Sequence, residues 1–226
     1  MTWVLDNLDL IAELTLIHLR QSIIPILLGF VLSVPLGWVA WRYKLVRSSI
    51  ITITGLLYTI PSLALLILLP SLFGYNLFSD TNLIVALTIY AIALLVRSVA
   101  DGLDSVDPGV RQASTAVGYG AFRRFFAVEL PLAGPVILSG LRVAAVSTIS
   151  LATVGILVGV TNLGYLFTNG YQREIIAEIF AGVVAVMIIA LVVDGLLVLA
   201  GRALMPWVRT GSGERAVRVG VQEAAA

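Results

Sequence analysis

The sequence predicts an all-α polytopic membrane protein with about five transmembrane helices and one long polar loop between the third and fourth. Three observations predict it. The 226 residues are 59% apolar and 12% charged, whereas about a quarter of a soluble chain is charged, and the mean hydropathy is +1.03. The apolar residues fall in runs long enough to cross a hydrocarbon core of about 30 Å. The basic residues collect between alternate runs, as the positive-inside rule demands of a multi-pass chain.

Composition also excludes chemistry. Zero cysteines remove disulfides, thiolate metal sites and cysteine nucleophiles, and a single histidine, His18, removes a histidine cluster. No metal site is expected. The formal net charge of +1 carries no argument for a nucleic-acid partner, and none is expected. The start, MTWVLDNLDL, is acidic and does not read as a cleaved signal peptide.

Residues 1–20 read as a partly amphipathic, interfacial leader, with His18 beside Arg20 at the boundary. The first span, 22–41, has no charge; its Pro25 and Pro35 are tolerable where neighbouring helices re-satisfy the backbone. Arg42, Lys44 and Arg47 follow as a basic stop. The second span, 50–73, has Pro61 near its middle, which predicts a kink. The third, 83–99, ends beside Arg97. The fourth, 136–160, is rich in small residues such as Gly140, Ala144 and Gly155, which let backbones approach closely in a membrane.

A polar connection over 161–178 contains the run Leu-Gly-Tyr-Leu-Phe, a candidate for a short re-entrant piece. The fifth span, 179–204, carries Asp194, an intramembrane acid that needs a partner. Arg97 and Arg142 are the candidates. A permease domain of 1–209 would then end in a disordered cytoplasmic tail, 210–226, without apolar periodicity. With the N-terminus outside, only Arg20 and Arg173 of the 14 basic residues lie on the outer face. No internal repeat of the kind common in secondary transporters is apparent.

The loop, 101–135, is the longest polar interval. Asp107 and Pro108 form a helix start. Gly118 suits the left-handed residue that ends such a helix. Gly120 opens a second short segment, which Pro131 and Pro135 are expected to end. Gln112, Ala113 and Ser114, then Gly118, then Val128, Leu130 and Pro131 match the spacing of a known motif. This pattern resembles the E-A-A loop of bacterial ABC-importer permeases, with glutamine in place of its glutamate and serine in place of its second alanine. The charge that a salt bridge from position 112 would use is therefore missing. Thr59-Ile60-Pro61-Ser62-Leu63-Ala64-Leu65 and the LPLAGPVILSGLR segment resemble elements of permeases that import glycine betaine, carnitine and choline.

That resemblance implies a permease in a bacterial cell membrane, not itself an enzyme. It implies two copies of a separate ATP-binding subunit docked on the loop, a second permease subunit, identical or paralogous, and an extracytoplasmic solute-binding protein. ATP and magnesium would sit on the ATPase. The only lysine, Lys44, lies in no phosphate-binding loop, so this chain binds no such cofactor. Phe122, Phe125 and Phe126, with Arg123 and Arg124, become docking contacts; the same residues also suit a bilayer surface of anionic lipid. Tyr58, Thr59, Pro61, Ser62 and Tyr90 are candidates for the translocation path. Alternatives are an ABC permease for another small polar solute and an ion-coupled transporter or channel built on Asp194. A membrane enzyme is disfavoured by the position of the lone histidine.

Overall fold

The computed structural model describes residues 2–74 and 76–209, and these form helices with no strand among them. In chain order they are α1 (Thr2–Asp6), α2 (Leu8–Arg42), α3 (Lys44–Thr59), α4 (Ser62–Phe73), α5 (Asp80–Asp104) and α6 (Pro108–Ala116). Then come α7 (Ala121–Arg124), a π-helical turn (Phe125–Glu129), α8 (Leu130–Ala152), a 3-10 turn (Thr153–Val158), α9 (Gly164–Gln172) and α10 (Ile176–Leu204). Four helical stretches are long and apolar enough to cross a membrane, or up to five when the bent pair α3–α4 is taken as one. The tail expected over 210–226 lies outside the described residues.

α2 has 35 residues and, at about 1.5 Å per residue, outruns the hydrocarbon core. The leader expected over 1–20 is thus not a separate interfacial piece. Leu14 and His18 are buried within the bundle, and the His18 ring Nε2 donates to the Ile149 carbonyl at 3.0 Å.

The single kinked span expected over 50–73 is instead broken, α3 and α4 meeting at 106°. Ile60 precedes Pro61 and is extended, with φ −64° and ψ 127°, because the proline ring crowds the helical region of the residue before it. The Tyr90 hydroxyl donates to the freed Ile60 carbonyl at 2.5 Å. α4 then lays Leu65, Leu66 and Leu69 against Leu83 and Leu87 of α5 and Val158 of the 3-10 turn.

α5 is the hub, with α2 on one side and α8 on the other. On the α2 side, Gly29 faces Ala91 and Gly37 faces Val99, the same interval apart on both helices. Ser33 lies fully buried between the two glycines. A Cβ on Gly37 would stand 2.6 Å from the Val99 Cβ, so only hydrogen fits and the backbones come together. On the α8 side, Gly140 meets Ser98, and Gly102 meets Ala133 and Ile137. Gly140 is legible within a run of small residues, whereas Gly29, Gly37 and Gly102 lie among larger neighbours in the sequence.

Pro131 and Pro135 do not end a short helix. The chain is helical without a break from Ala121 to Val158, and the change to π register comes just before Pro131, whose missing N–H removes a ladder bond. Pro135 sits inside α8, as prolines do in membrane helices with close neighbours.

One end of the bundle is closed by a polar network. Gln21 Nε2 donates to Asp80 Oδ1 at 2.9 Å and to the Thr161 carbonyl at 3.2 Å. Asn162 Nδ2 donates to Gln21 Oε1 at 3.0 Å and to the Ala152 carbonyl at 2.8 Å. Arg20 pairs with Asp80, and Asn169 donates to the buried Glu178 at 2.6 Å. These bonds tie α2, α5 and α8 to the 161–162 connection and α9 to α10 at that end, and low dielectric strengthens the buried ones among them. The opposite end carries Arg42, Lys44, Arg47 and the loop.

Candidate functional site

The loop begins as the residues dictate. Asp107 Oδ1 accepts from the Gly109 N–H at 2.6 Å, and Pro108 takes the first turn of α6. At the far end Gly118 has φ +91°. Its N–H donates to the Thr115 carbonyl and that of Tyr119 to the Ser114 carbonyl, both at 3.0 Å. These are the two bonds of a Schellman cap. The turn sends the chain straight into α7.

Three side chains lock the loop to the bundle. The Glu129 carboxylate, with its side chain only 2% exposed, accepts from Arg124 Nε at 2.8 Å and lies 4.0 Å from Arg111 Nε. Arg124 also donates to Thr115 Oγ1 at 2.8 Å. Arg111 reaches back to the Leu103 carbonyl at the end of α5, with its guanidinium stacked over Trp41 of α2 at 4.8 Å. One acid therefore joins α6, α7 and the π turn, while Arg111 couples them to α5 and α2. Sequence reasoning missed Glu129. Its only local signal is the five-residue step from Arg124, which belongs to no α-helical face but suits a π turn.

The predicted docking residues divide by exposure. Gln112, Ala113, Gly118 and Arg123 are exposed, as are Val117 at 74% and Phe122 at 79%. Phe126 is exposed and stacks on Phe122 at 4.8 Å. Ser114 is buried, its hydroxyl donating to the Arg111 carbonyl at 2.8 Å. Phe125 is 8% exposed and packs with Val99, Leu103 and Ile137, against which Leu130 also rests. Pro131 is half-buried beside it. Ser114, Phe125 and Leu130 thus support the loop from below.

The predicted path residues gather at the α3–α4 corner. Tyr58 and Tyr90 meet edge to face with ring centroids 5.8 Å apart. Thr59 Oγ1 donates to the Leu56 carbonyl at 2.7 Å, and Pro61 and Ser62 form the corner itself. Tyr90 is buried and holds the corner, whereas Tyr58 is exposed.

Asp194 has its partner. Arg142 donates from Nε to Oδ1 at 2.6 Å and from Nη2 to Oδ2 at 2.7 Å, a bidentate pair that occupies both carboxylate oxygens. Arg97, the other candidate, lies 3.7 Å from Asp101. Among the described residues no group of His, Asp and Glu is placed to hold a metal.

Known proteins share this architecture and sequence. The chain is 34% identical to the osmoprotectant import permease protein OsmW of Salmonella typhimurium, over 86% of this chain and 92% of that one. It is 35% identical to the choline transport system permease protein OpuBB of Bacillus subtilis, over 84% and 86% of the two chains. The inward-facing MetNI methionine ABC transporter superposes with a TM-score of 0.75, covering 87% of this chain and 97% of that one at 22% identity, and shares the fold. Residues 26–210 match the family of binding-protein-dependent transport system inner membrane components. With helices of membrane-crossing length and a loop built as a rigid two-helix bend, the chain is a multi-pass membrane protein that belongs to that family.

Proposed function

We propose that this chain is the permease subunit of an ATP-driven importer for quaternary-ammonium compatible solutes of the glycine betaine, choline and carnitine type. The observation that carries the solute class is the likeness, across most of both chains, to relatives named for osmoprotectant and choline transport. Two permease subunits form the path, and an extracytoplasmic binding protein delivers the solute. The N-terminus is outside, so the loop and the basic end of the bundle face the cytoplasm. Two ATPase subunits dock there on the exposed residues Gln112, Ala113, Val117, Gly118 and Phe122, and they carry the ATP and magnesium.

The mechanism follows from how the loop is held. α6 has no flexible tether: Glu129, Arg124 and Arg111 fix it to the ends of α5 and α8. A shift of the ATPase under α6 therefore moves those two helices as a rigid body. The Tyr58 ring offers an aromatic face to a passing quaternary ammonium group, while Tyr90 holds the corner in shape.

Uptake into cells expressing the chain with its ATPase and binding protein tests the solute class. Labelled choline should accumulate, and excess unlabelled glycine betaine or carnitine should suppress it, whereas methionine should not. Suppression by methionine alone would assign the chain to another solute.

A further inference from the structure

We propose that the chain holds an anionic phospholipid in a two-part site at the α2–α3 corner. Its headgroup lies among Arg42, Lys44, Arg111 and Arg124, and an acyl chain lies in the apolar groove beside them. The inference rests on the membrane reading and not on the solute.

The headgroup part is a cavity of about 650 Å³ lined by Trp41, Arg42, Lys44, Arg47, Asp104, Arg111 and Arg124. Its charges do not cancel. Arg47 is matched by Asp104 at 2.6 Å and Asp101 at 3.4 Å, and Arg111 and Arg124 share the one carboxylate of Glu129. Arg42 and Lys44 have no acidic partner among the described residues, and Arg42 only lies over the Tyr43 ring. The surplus positive charge of the cavity therefore sits chiefly on Arg42 and Lys44. Basic pockets between membrane helices at their cytoplasmic ends suit acidic headgroups.

The second part makes the occupant a lipid rather than a free anion. A groove of about 440 Å³ is lined by Val34, Pro35, Trp38, Phe122, Phe125 and Phe126. It adjoins the cavity: Trp38 and Trp41 lie one turn apart on α2, and Arg124 and Phe125 are consecutive. Along α2 the order is apolar at Val34 to Trp38, then cationic from Arg42. At 1.5 Å per residue the change from Trp38 to Arg42 takes about 6 Å. An acyl chain under a phosphate has the same polarity in the same direction. Inorganic phosphate or an acidic protein surface would use the cavity and leave the groove unexplained.

The test is lipid retention by the full chain purified in detergent, read by native mass spectrometry across phosphatidylglycerol and phosphatidylcholine titrations. Arg42→Gln/Lys44→Gln is the variant, chosen because neither residue holds an ion pair. Wild type should prefer phosphatidylglycerol at least roughly tenfold, about 1.4 kcal/mol, and the variant should lose that preference with its thermal midpoint unchanged. A Phe126→Ser variant should weaken both lipids. Equal retention of the two lipids by wild type would overturn the site. So would full competition by inorganic phosphate, which would assign the cavity to a free anion. None of these outcomes bears on solute uptake, so the transport reading stands or falls separately.

Discussion

Replacing Gly118 with valine is expected to release the ATPase while leaving the helical bundle folded. Gly118 has φ +91°, a conformation that costs an L-residue about 1–2 kcal/mol and a β-branched residue more. A Cβ there meets nothing within 4 Å of this chain, so the variant creates no internal clash. Relief of the strain requires the Schellman turn to reopen, which rotates α6 against α7 and disperses the exposed surface of Gln112, Ala113, Val117 and Phe122. Co-purification of the ATPase should fall at least roughly tenfold, the equivalent of about 1.4 kcal/mol. Thermal unfolding of the isolated permease should stay close to wild type. Undiminished retention would mean that the bend is only a connection.

Gly37→Leu is expected to do the opposite and destroy the bundle itself. The added Cβ would stand 2.6 Å from the Val99 Cβ and 3.0 Å from the Val96 carbonyl oxygen. Three further carbons have no room, so α2 and α5 must part along the seam that Gly29, Ser33 and Gly37 keep close. Overpacking of a dense core costs about 1–3 kcal/mol. Here the obstruction includes backbone, which puts the variant at or above that range. Size-exclusion chromatography of detergent extracts should show aggregate in place of a monodisperse peak. Val31→Leu, on the exposed face of the same helix, should elute as wild type. A monodisperse Gly37→Leu would contradict the packing described for α2 and α5.

What the sequence revealed and what it withheld follow from range. Hydropathy is summed over a window, so the apolar stretches near 22–41, 83–99 and 179–204 fall within helices, whereas that near 136–160 leaves α8 at Ala152 for a 3-10 turn that ends at Val158. Capping chemistry is local, so Asp107, Pro108 and Gly118 could be assigned one by one. Proline is ambiguous by its nature. Pro61 breaks a helix because Ile60 turns extended and Tyr90 receives its carbonyl, whereas Pro131 and Pro135 ride inside one because a π turn and close neighbours absorb them. No local pattern distinguishes the two outcomes. The long-range polar partners were the least legible. Arg142 is one of two sequence candidates for Asp194, and Glu129, Gln21 and Asn162 carry no clear local signal because their partners are distant in sequence or in an unusual register. The loop over 101–135 is thus legible as a shape, but not as a part bolted to α5 and α2 by Arg111.

The central claim is that this chain's transport is driven through its loop by a separate ATPase, and proteoliposomes test it most directly. The permease, its ATPase and its binding protein are reconstituted, and labelled choline accumulation is followed with and without ATP, and with and without an imposed proton or sodium gradient. The account predicts accumulation that requires ATP, ignores the gradient and disappears in Gly118→Val. Accumulation that follows the gradient without ATP, and that Asp194→Asn abolishes, would contradict it and place the chemistry at the Arg142–Asp194 pair instead.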